Sequence, residues 1–403
     1  MPDYKNQSRF SEMDSAFKES QVLFNLAYSN SGDFLRLAAG WHSDSPYYDR
    51  ITDGMPHWKL NQSAADDLYF FSGRNIIRIH AFLRFITGNS PAAQLVIFNF
   101  FVVSCLCFCF RSLSRIFIHR EKWLFIALFL VPSTFTWSSG LFPVSLSLSL
   151  IAVAISVALE VFTEPLNKGR MVLYFLFLLI ISFAFPGFML VLWTSLLFVF
   201  ITRVRNSISG IAEGIAFFAL PIITFYLIDY YALNQFFAGQ IIAAQQESLY
   251  KLDLAGEENG VAIQMLKNVW WSFSRNLPEA FLNASFRPGL LDAVSPLQWL
   301  SALESLGTIF FLALAVGLYT PPESKKDILI RYFLFSTTVW FFMTSGLTSN
   351  LWSDISARRA ICLPYAMLAL VHVCDTDRLK AIIFEVLNFH GNNFNNRSHL
   401  RDR

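Results

Sequence analysis

The sequence predicts an all-α protein, a polytopic transmembrane helical bundle with interfacial helices on its extracytoplasmic side. Three observations lead there. Nine apolar runs recur along the 403 residues, at 92–110, 123–138, 144–162, 171–185, 188–202, 214–233, 298–318, 329–346 and 361–374. Hydrophobic residues make up 54% of the chain and charged ones 15%, mean hydropathy is +0.45, and the 43 Phe exceed what one soluble core would take. The connectors alternate between rich in Lys and Arg and nearly free of them.

That alternation sets sidedness. Connectors 111–122, 163–170, 203–213 and 319–328, with Arg331 just beyond the last, carry eleven cations, whereas 139–143, 186–187 and 347–360 carry only Arg358 and Arg359. The positive-inside rule places the first group in the cytoplasm. Runs 171–185 and 188–202 are short for a crossing, and Pro186-Gly187 between them reads as a tight outer turn between two short helices. Residues 1–91 then lie outside, although nothing before residue 91 resembles a signal peptide or a spanning helix; the longest apolar stretch, 22–27, is too short. The expectation is a chain lacking a first membrane helix. It divides into an extracytoplasmic segment 1–91, membrane helices 92–233, an extracytoplasmic loop 234–297, membrane helices 298–374 and a cytoplasmic tail 375–403.

In the outer segments, NIIRIHAFLRFITG at 75–88 has apolar positions 76, 77, 79, 82, 83, 85 and 86 with Arg78, His80 and Arg84 between them, the pattern of a helix lying in the membrane interface. Loop 234–297 carries Trp270, Trp271 and Pro-punctuated pieces that suggest further interfacial helices. The stretch 375–390 reads as a surface helix, and 391–403 as a polar tail.

The polar groups able to do chemistry gather on the outer side. Arg358 and Arg359, adjacent in a short outer loop, run against the charge trend and suit bidentate phosphate contacts, or headgroup anchoring at a helix end. Glu304 falls near the outer end of its membrane helix, where an ion pair with Arg287 or Arg358 and a direct chemical role are the two readings. Asp33 is the first carboxylate of the outer stretch in SGDF, and Asp229 reads as an interface residue. No cofactor is indicated outright; Asp66 and Asp67 are where a divalent cation would sit, if they are not a solvated turn, and His42, His57 and His80 lack metal-ligand spacing. Cys105, Cys107, Cys109, Cys362 and Cys374 lie in or beside apolar runs and read as small apolar residues. A net charge of +2 without a basic tract argues against nucleic acid as a partner. P-loop, GxSxG, HExxH and kinase signatures are absent, and charges are scarce inside the spanning runs.

Four stretches carry a resemblance: SGDFLRLAAG, VPSTFTWSSGLFPVSL, NLPEAFLNASFRPGLLDAVSPLQWLSALESLG and GLTSNLWSDISARRAICLPYAML. Together they are similar to bacterial membrane glycosyltransferases of the C-type superfamily and the related polysaccharide polymerases. The turn after Trp-Ser-Ser-Gly reads Leu-Phe-Pro where such proteins often carry a Lys-Glu or Lys-Asp pair. The resemblance implies a multi-pass protein of the bacterial inner membrane, a polyprenyl-linked sugar as donor, a glycan acceptor and membrane lipid as partners, and other polysaccharide-assembly proteins beside it. It implies Asp33 or Glu304 as the carboxylate at the acceptor hydroxyl. Arg287, Arg358, Arg359, Asn350 and Trp137 would then bind diphosphate and sugar. A lipid-linked oligosaccharide flippase and a non-catalytic membrane subunit are the rival readings.

Overall fold

The computed structural model describes residues 9–39, 46–55, 58, 73–118, 120–131, 134, 143–163, 167–184, 191–197, 199, 223, 227–232, 236–256, 260–261, 263–293, 295–375, 377–378 and 381. Among them regular structure is helical throughout, apart from two isolated β-bridges, Gly260 with Leu351 and Tyr319 with Cys374. The helices are α1 (Arg9–Ser29), α2 (Ser31–Ala38), α3 (Pro46–Thr52), α4 (Gly73–Thr87), α5 (Pro91–Ser114) and α6 (Glu121–Phe125), which runs into a π-helical turn at Ile126–Leu130. There follow α7 (Pro143–Thr163), α8 (Lys168–Ala184), a second π turn at Ile228–Ala232, α9 (Phe236–Ala255), α10 (Trp270–Phe286), α11 (Pro296–Gly317), α12 (Lys325–Thr348) and α13 (Trp352–Val373).

Among the described residues four helices, α5, α7, α11 and α12, are long and apolar enough to cross a membrane. Their starts are written in the sequence. Ser90 accepts from the Ala93 amide ahead of Pro91, Ser295 and Gln298 form a reciprocal capping box around Pro296, and Ser324 accepts from the Asp327 amide. α7 and α12 are buried over most of their length, whereas α5 and α11 turn most of theirs outward. α12 is the central post: from Ser336 to Asn350 every residue is buried. It packs on α10, α13, α9 and α7, and α10 meets it most closely at Gly346, where a Cβ would lie 1.9 Å from the Ala280 carbonyl oxygen.

The Lys/Arg-rich connectors 111–122 and 319–328 share one end of the bundle. Arg120 donates to the Val371 carbonyl at 2.6 Å, Arg331 to the Thr320 carbonyl at 2.6 Å, and Phe117 meets His372 edge-on. Backbone bonds from Thr320 to Val373 and from Asp375 to Leu318 close the same end. Ser112 and Tyr174 both donate to Glu160, a buried carboxylate near the end of α7.

Two expectations change here. The last apolar run was placed at 361–374 with an outer loop before it, yet α13 begins at Trp352, so Arg358 and Arg359 stand in the second turn of a helix. Hydropathy ends where charge begins, while helix propensity does not. In α4 the expected cations turn inward beside the buried Ile77 and Ala81, while part of the apolar set stays outside. Arg74, Arg78, His80 and Arg84 are buried, and Phe82, Phe85 and Ile86 are exposed. The arginines turn inward because partners wait there: Arg74 Nε donates to the Trp58 carbonyl and Arg78 Nε to the Leu37 carbonyl, each at 2.8 Å, with both guanidinium groups against the Trp58 ring. Arg84 clamps α1 to α4, with Nε on Ser20 Oγ at 2.8 Å and its other donors on Gln21, Asn89 and the Phe17 carbonyl.

Candidate functional site

At the end of α12 away from the cationic connectors, α10, α11, α12 and α13 bring together Arg287, Glu304, Asn350, Arg358 and Arg359, five of the residues singled out in the sequence.

Arg359 is the hub. Its side chain is 1% exposed, and its donors go to the protein itself: Nε to the Ala284 carbonyl at 3.1 Å, and a terminal nitrogen to the Ser301 carbonyl at 3.1 Å. The remaining bonds reach Ser305 Oγ and the Arg287 carbonyl. Ser301 Oγ and Ser356 Oγ meet at 2.9 Å beside it. The guanidinium therefore caps carbonyls at the C-terminal end of α10 and ties them to α11 and α13. Glu304, between Ser301 and Ser305 on α11, is the carboxylate whose field acts on Arg359, and neither Arg287 nor Arg358 forms an ion pair with it among the described residues. A buried guanidinium with these four acceptors positions backbone; few of its donors remain for a ligand.

Arg358 points elsewhere. It is half-buried, its terminal nitrogen donates to Thr348 Oγ1 at the end of α12, and among the described residues no carboxylate pairs with it. Arg287 closes α10 with its amide on the Asn283 carbonyl at 3.3 Å, lends its own carbonyl to Arg359, and is exposed. Asp292, in the following turn, accepts from the Gly289 amide at 2.8 Å.

Asn350 is fully buried two residues beyond Thr348. Its amide nitrogen donates to Ser248 Oγ at 2.7 Å and its carbonyl accepts from the Val261 amide at 2.8 Å. Gly260 lies flat on that carbonyl, where a Cβ would come within 2.1 Å of the oxygen. Neither polar atom of the Asn350 side-chain amide has a hydrogen-bond partner among the described residues. A polar group left so costs about 1–3 kcal/mol, which is tolerated where a ligand completes it. The segment on Asn350 is itself held by Gln245 of α9, which accepts from the Leu266 amide at 2.7 Å and donates to the Gln264 carbonyl at 3.2 Å.

The remaining candidates are placed apart. Asp33 belongs to the N-terminal helices and is buried. Oδ1 accepts from Tyr48 at 3.1 Å, and Oδ2 accepts from Tyr47 at 3.0 Å and from Asn30 at 2.6 Å. Arg36 stands 3.9 Å away. The bond to Asp33 holds the Tyr47 phenol above its ordinary pKa. These donors make Asp33 the anchor that joins α2 to α3. His80 is buried with Nδ1 2.8 Å from Gln94 Oε1, and burial lowers its pKa. Asp229 is buried as well, and accepts from the Ala238 amide in the first turn of α9 at 2.9 Å, a helix-end role and not an interface one. Trp137, Asp66, Asp67, His42 and His57 lie outside the described residues, as does most of 375–390. Sequence reasoning missed Glu160 and the Ser248 and Gln245 supports of Asn350; a lone Glu inside an otherwise apolar run was the visible signal for the first.

Comparison with known protein families, with curated proteins and with solved structures finds no match to this chain.

Proposed function

We propose that this chain is an integral membrane glycosyltransferase or polymerase that acts on polyprenyl-linked sugars at the extracytoplasmic face of a bacterial inner membrane. In this reading the chain has about nine membrane segments, and α10 lies at the interface as part of the outer face. One observation carries the proposal: Arg358, a half-buried cation with no carboxylate partner among the described residues, stands at the membrane end opposite the cationic connectors. A cation so placed calls for an anion, and a lipid diphosphate supplies one. Arg358 and the exposed Arg287 are the groups that would neutralise the departing diphosphate. Arg359 positions the Arg287 backbone beside them. Glu304 is the carboxylate for the acceptor hydroxyl, because Asp33 is engaged by its own tyrosines. The Asn350 amide, with both polar atoms unbonded among the described residues, suits a sugar hydroxyl.

The test is a transfer assay on purified protein with polyprenyl-diphosphate sugar. Arg358→Ala should abolish transfer while the protein still elutes as a folded species, and Glu304→Gln should lower turnover more than substrate binding. Full transfer by Arg358→Ala would end the proposal. The buried hydroxyls along α12, Ser336, Thr337, Thr338, Thr344 and Ser345, favour a second reading, a lipid-linked oligosaccharide flippase. Movement of a labelled lipid across proteoliposomes without transfer would select it.

A further inference from the structure

The N-terminal helices carry an exposed apolar surface that the catalytic reading does not use. Tyr28 of α1 is 75% exposed, Leu35 of α2 60%, and Phe82, Phe85 and Ile86 of α4 are 49%, 48% and 74% exposed. Tyr28, Phe82 and Phe85 lie together, with Ile86 next to Phe85 and Leu35 next to Phe34 in the chain. Phe24 and Phe34 sit beneath them and join their rings edge-on: Phe24 meets Tyr28 at 5.1 Å and Phe85 at 5.0 Å, and Phe34 meets Phe82 and Phe85 at 5.6 Å each. The consecutive helices α1 and α2 and the later α4 thus contribute to this surface.

Its position is fixed relative to α5. Only Gly88, Asn89 and Ser90 separate α4 from α5, with Gly88 and Asn89 both in the left-handed region at φ 57° and 71°. Arg84 holds the Asn89 side chain, and His80 holds Gln94 in the first turn of α5, so the turn is braced from both sides. α5 is one of the apolar helices that turn outward, and its exposed face runs through Val96, Ile97, Phe100 and Phe101. The patch and the outward face of α5 are thus linked through one short, braced turn.

We infer that Tyr28, Leu35, Phe82, Phe85 and Ile86 form a bilayer-docking face, seated at the headgroup–acyl boundary of the leaflet that α5 enters first. The arrangement of α4 explains why such a face exists. A helix serving a water-exposed unit turns its cations outward; this one spends Arg74, Arg78 and Arg84 on internal carbonyls, hydroxyls and rings and leaves aromatic residues outside. Aromatic rings favour that boundary, and Arg36, exposed next to Leu35 in the chain, reaches lipid phosphate from the same helix.

The experiment places single nitroxide labels at positions 28, 82 and 86 of the full chain, in a background without its five native cysteines, reconstituted in phosphatidylethanolamine–phosphatidylglycerol nanodiscs. Labels at 100, on the outward face of α5, and at 50, exposed on α3, are the references. Oxygen dissolves in the acyl region and a nickel chelate stays in water, so the ratio of their collision rates reports depth. The ratio at 28, 82 and 86 should rise well above that at 50 and approach that at 100. Ratios equal to that at 50 would overturn the inference by placing the patch in water. Exclusion of both reagents, with dipolar broadening between copies, would overturn it in favour of self-association. Each labelled protein is first checked for unchanged elution, which separates misfolding from either outcome.

Discussion

Gly346→Ala is the sharpest probe of how the bundle is assembled. Built onto the backbone, the new Cβ lies 1.9 Å from the Ala280 carbonyl oxygen, 2.5 Å from its carbon and 2.8 Å from Ala280 Cα. Ordinary contact begins near 3.4 Å, so α10 and α12 must part by about 1.5 Å. The obstacle is helix backbone and not the free end of a side chain, so no rotamer change relieves it. Overpacking of this kind costs about 1–3 kcal/mol. The movement also draws the Ala284 and Arg287 carbonyls away from Arg359, which places the total toward the upper end. Gly307→Ala is the matched control, since nothing lies within 4 Å of its added methyl and alanine favours the helix by about 0.5–1 kcal/mol. The measurement is thermal denaturation of detergent-solubilised protein, followed by loss of the monodisperse elution peak. Gly346→Ala should lower the midpoint by a few degrees and Gly307→Ala should leave it level or raise it. Equal midpoints for the two variants would refute the close approach of α10 and α12.

Other outcomes follow from the same contacts. Arg359→Ala leaves the Ala284, Ser301 and Arg287 carbonyls without their shared donor, so it should lower the midpoint well below that of Arg358→Ala in the same assay. Arg84→Ala removes the clamp between α1 and α4 and should destabilise the N-terminal helices by about 2–3 kcal/mol, read as faster proteolysis before residue 91 with the remaining helices intact. Burial lowers the His80 pKa, so the folded state takes up its proton at lower pH than the unfolded state does. Stability should therefore fall as pH drops through about 6.5, and His80→Asn should flatten the midpoint-against-pH curve on that acid side. Gly260→Ala puts a methyl 2.1 Å from the Asn350 carbonyl oxygen, and should free the segment after it, seen as faster amide exchange at Val261 and Leu266.

Residues whose roles depend on local pattern were legible in advance. Runs 298–318 and 329–346 became α11 and α12 with boundaries moved by one to four residues, because apolar length and Ser-led caps are both local properties. The neighbourhood of Arg287, Glu304, Asn350, Arg358 and Arg359 was legible as well, since all five fall at or near the two loops that join α10 to α11 and α12 to α13. Their division of labour was not. Adjacent arginines on a helix point about 100° apart, and only the packing of α10 against α13 decides which one turns inward. The buried arginines of α4 escaped for a similar reason: an arginine counts as polar in any periodicity, while carbonyls at Leu37 and Trp58, distant in the chain, make its burial favourable. Asn350 under Gly260 depends on two backbones meeting across ninety residues, which no spacing rule expresses.

The backbone bonds between Thr320 and Val373 and between Asp375 and Leu318 have a mechanical consequence. They stitch the chain on either side of α12 and α13 at one extremity, reinforced by Arg120 and Arg331. Arg358 stands sixteen residues from Cys374, about 24 Å along the helix at 1.5 Å per residue. At that far end Arg359 fastens α13 to α10 and α11. The helix is thus pinned at both ends, so an anion arriving at Arg358 would meet a guanidinium whose backbone is already held, and little ordering would remain to be done on binding.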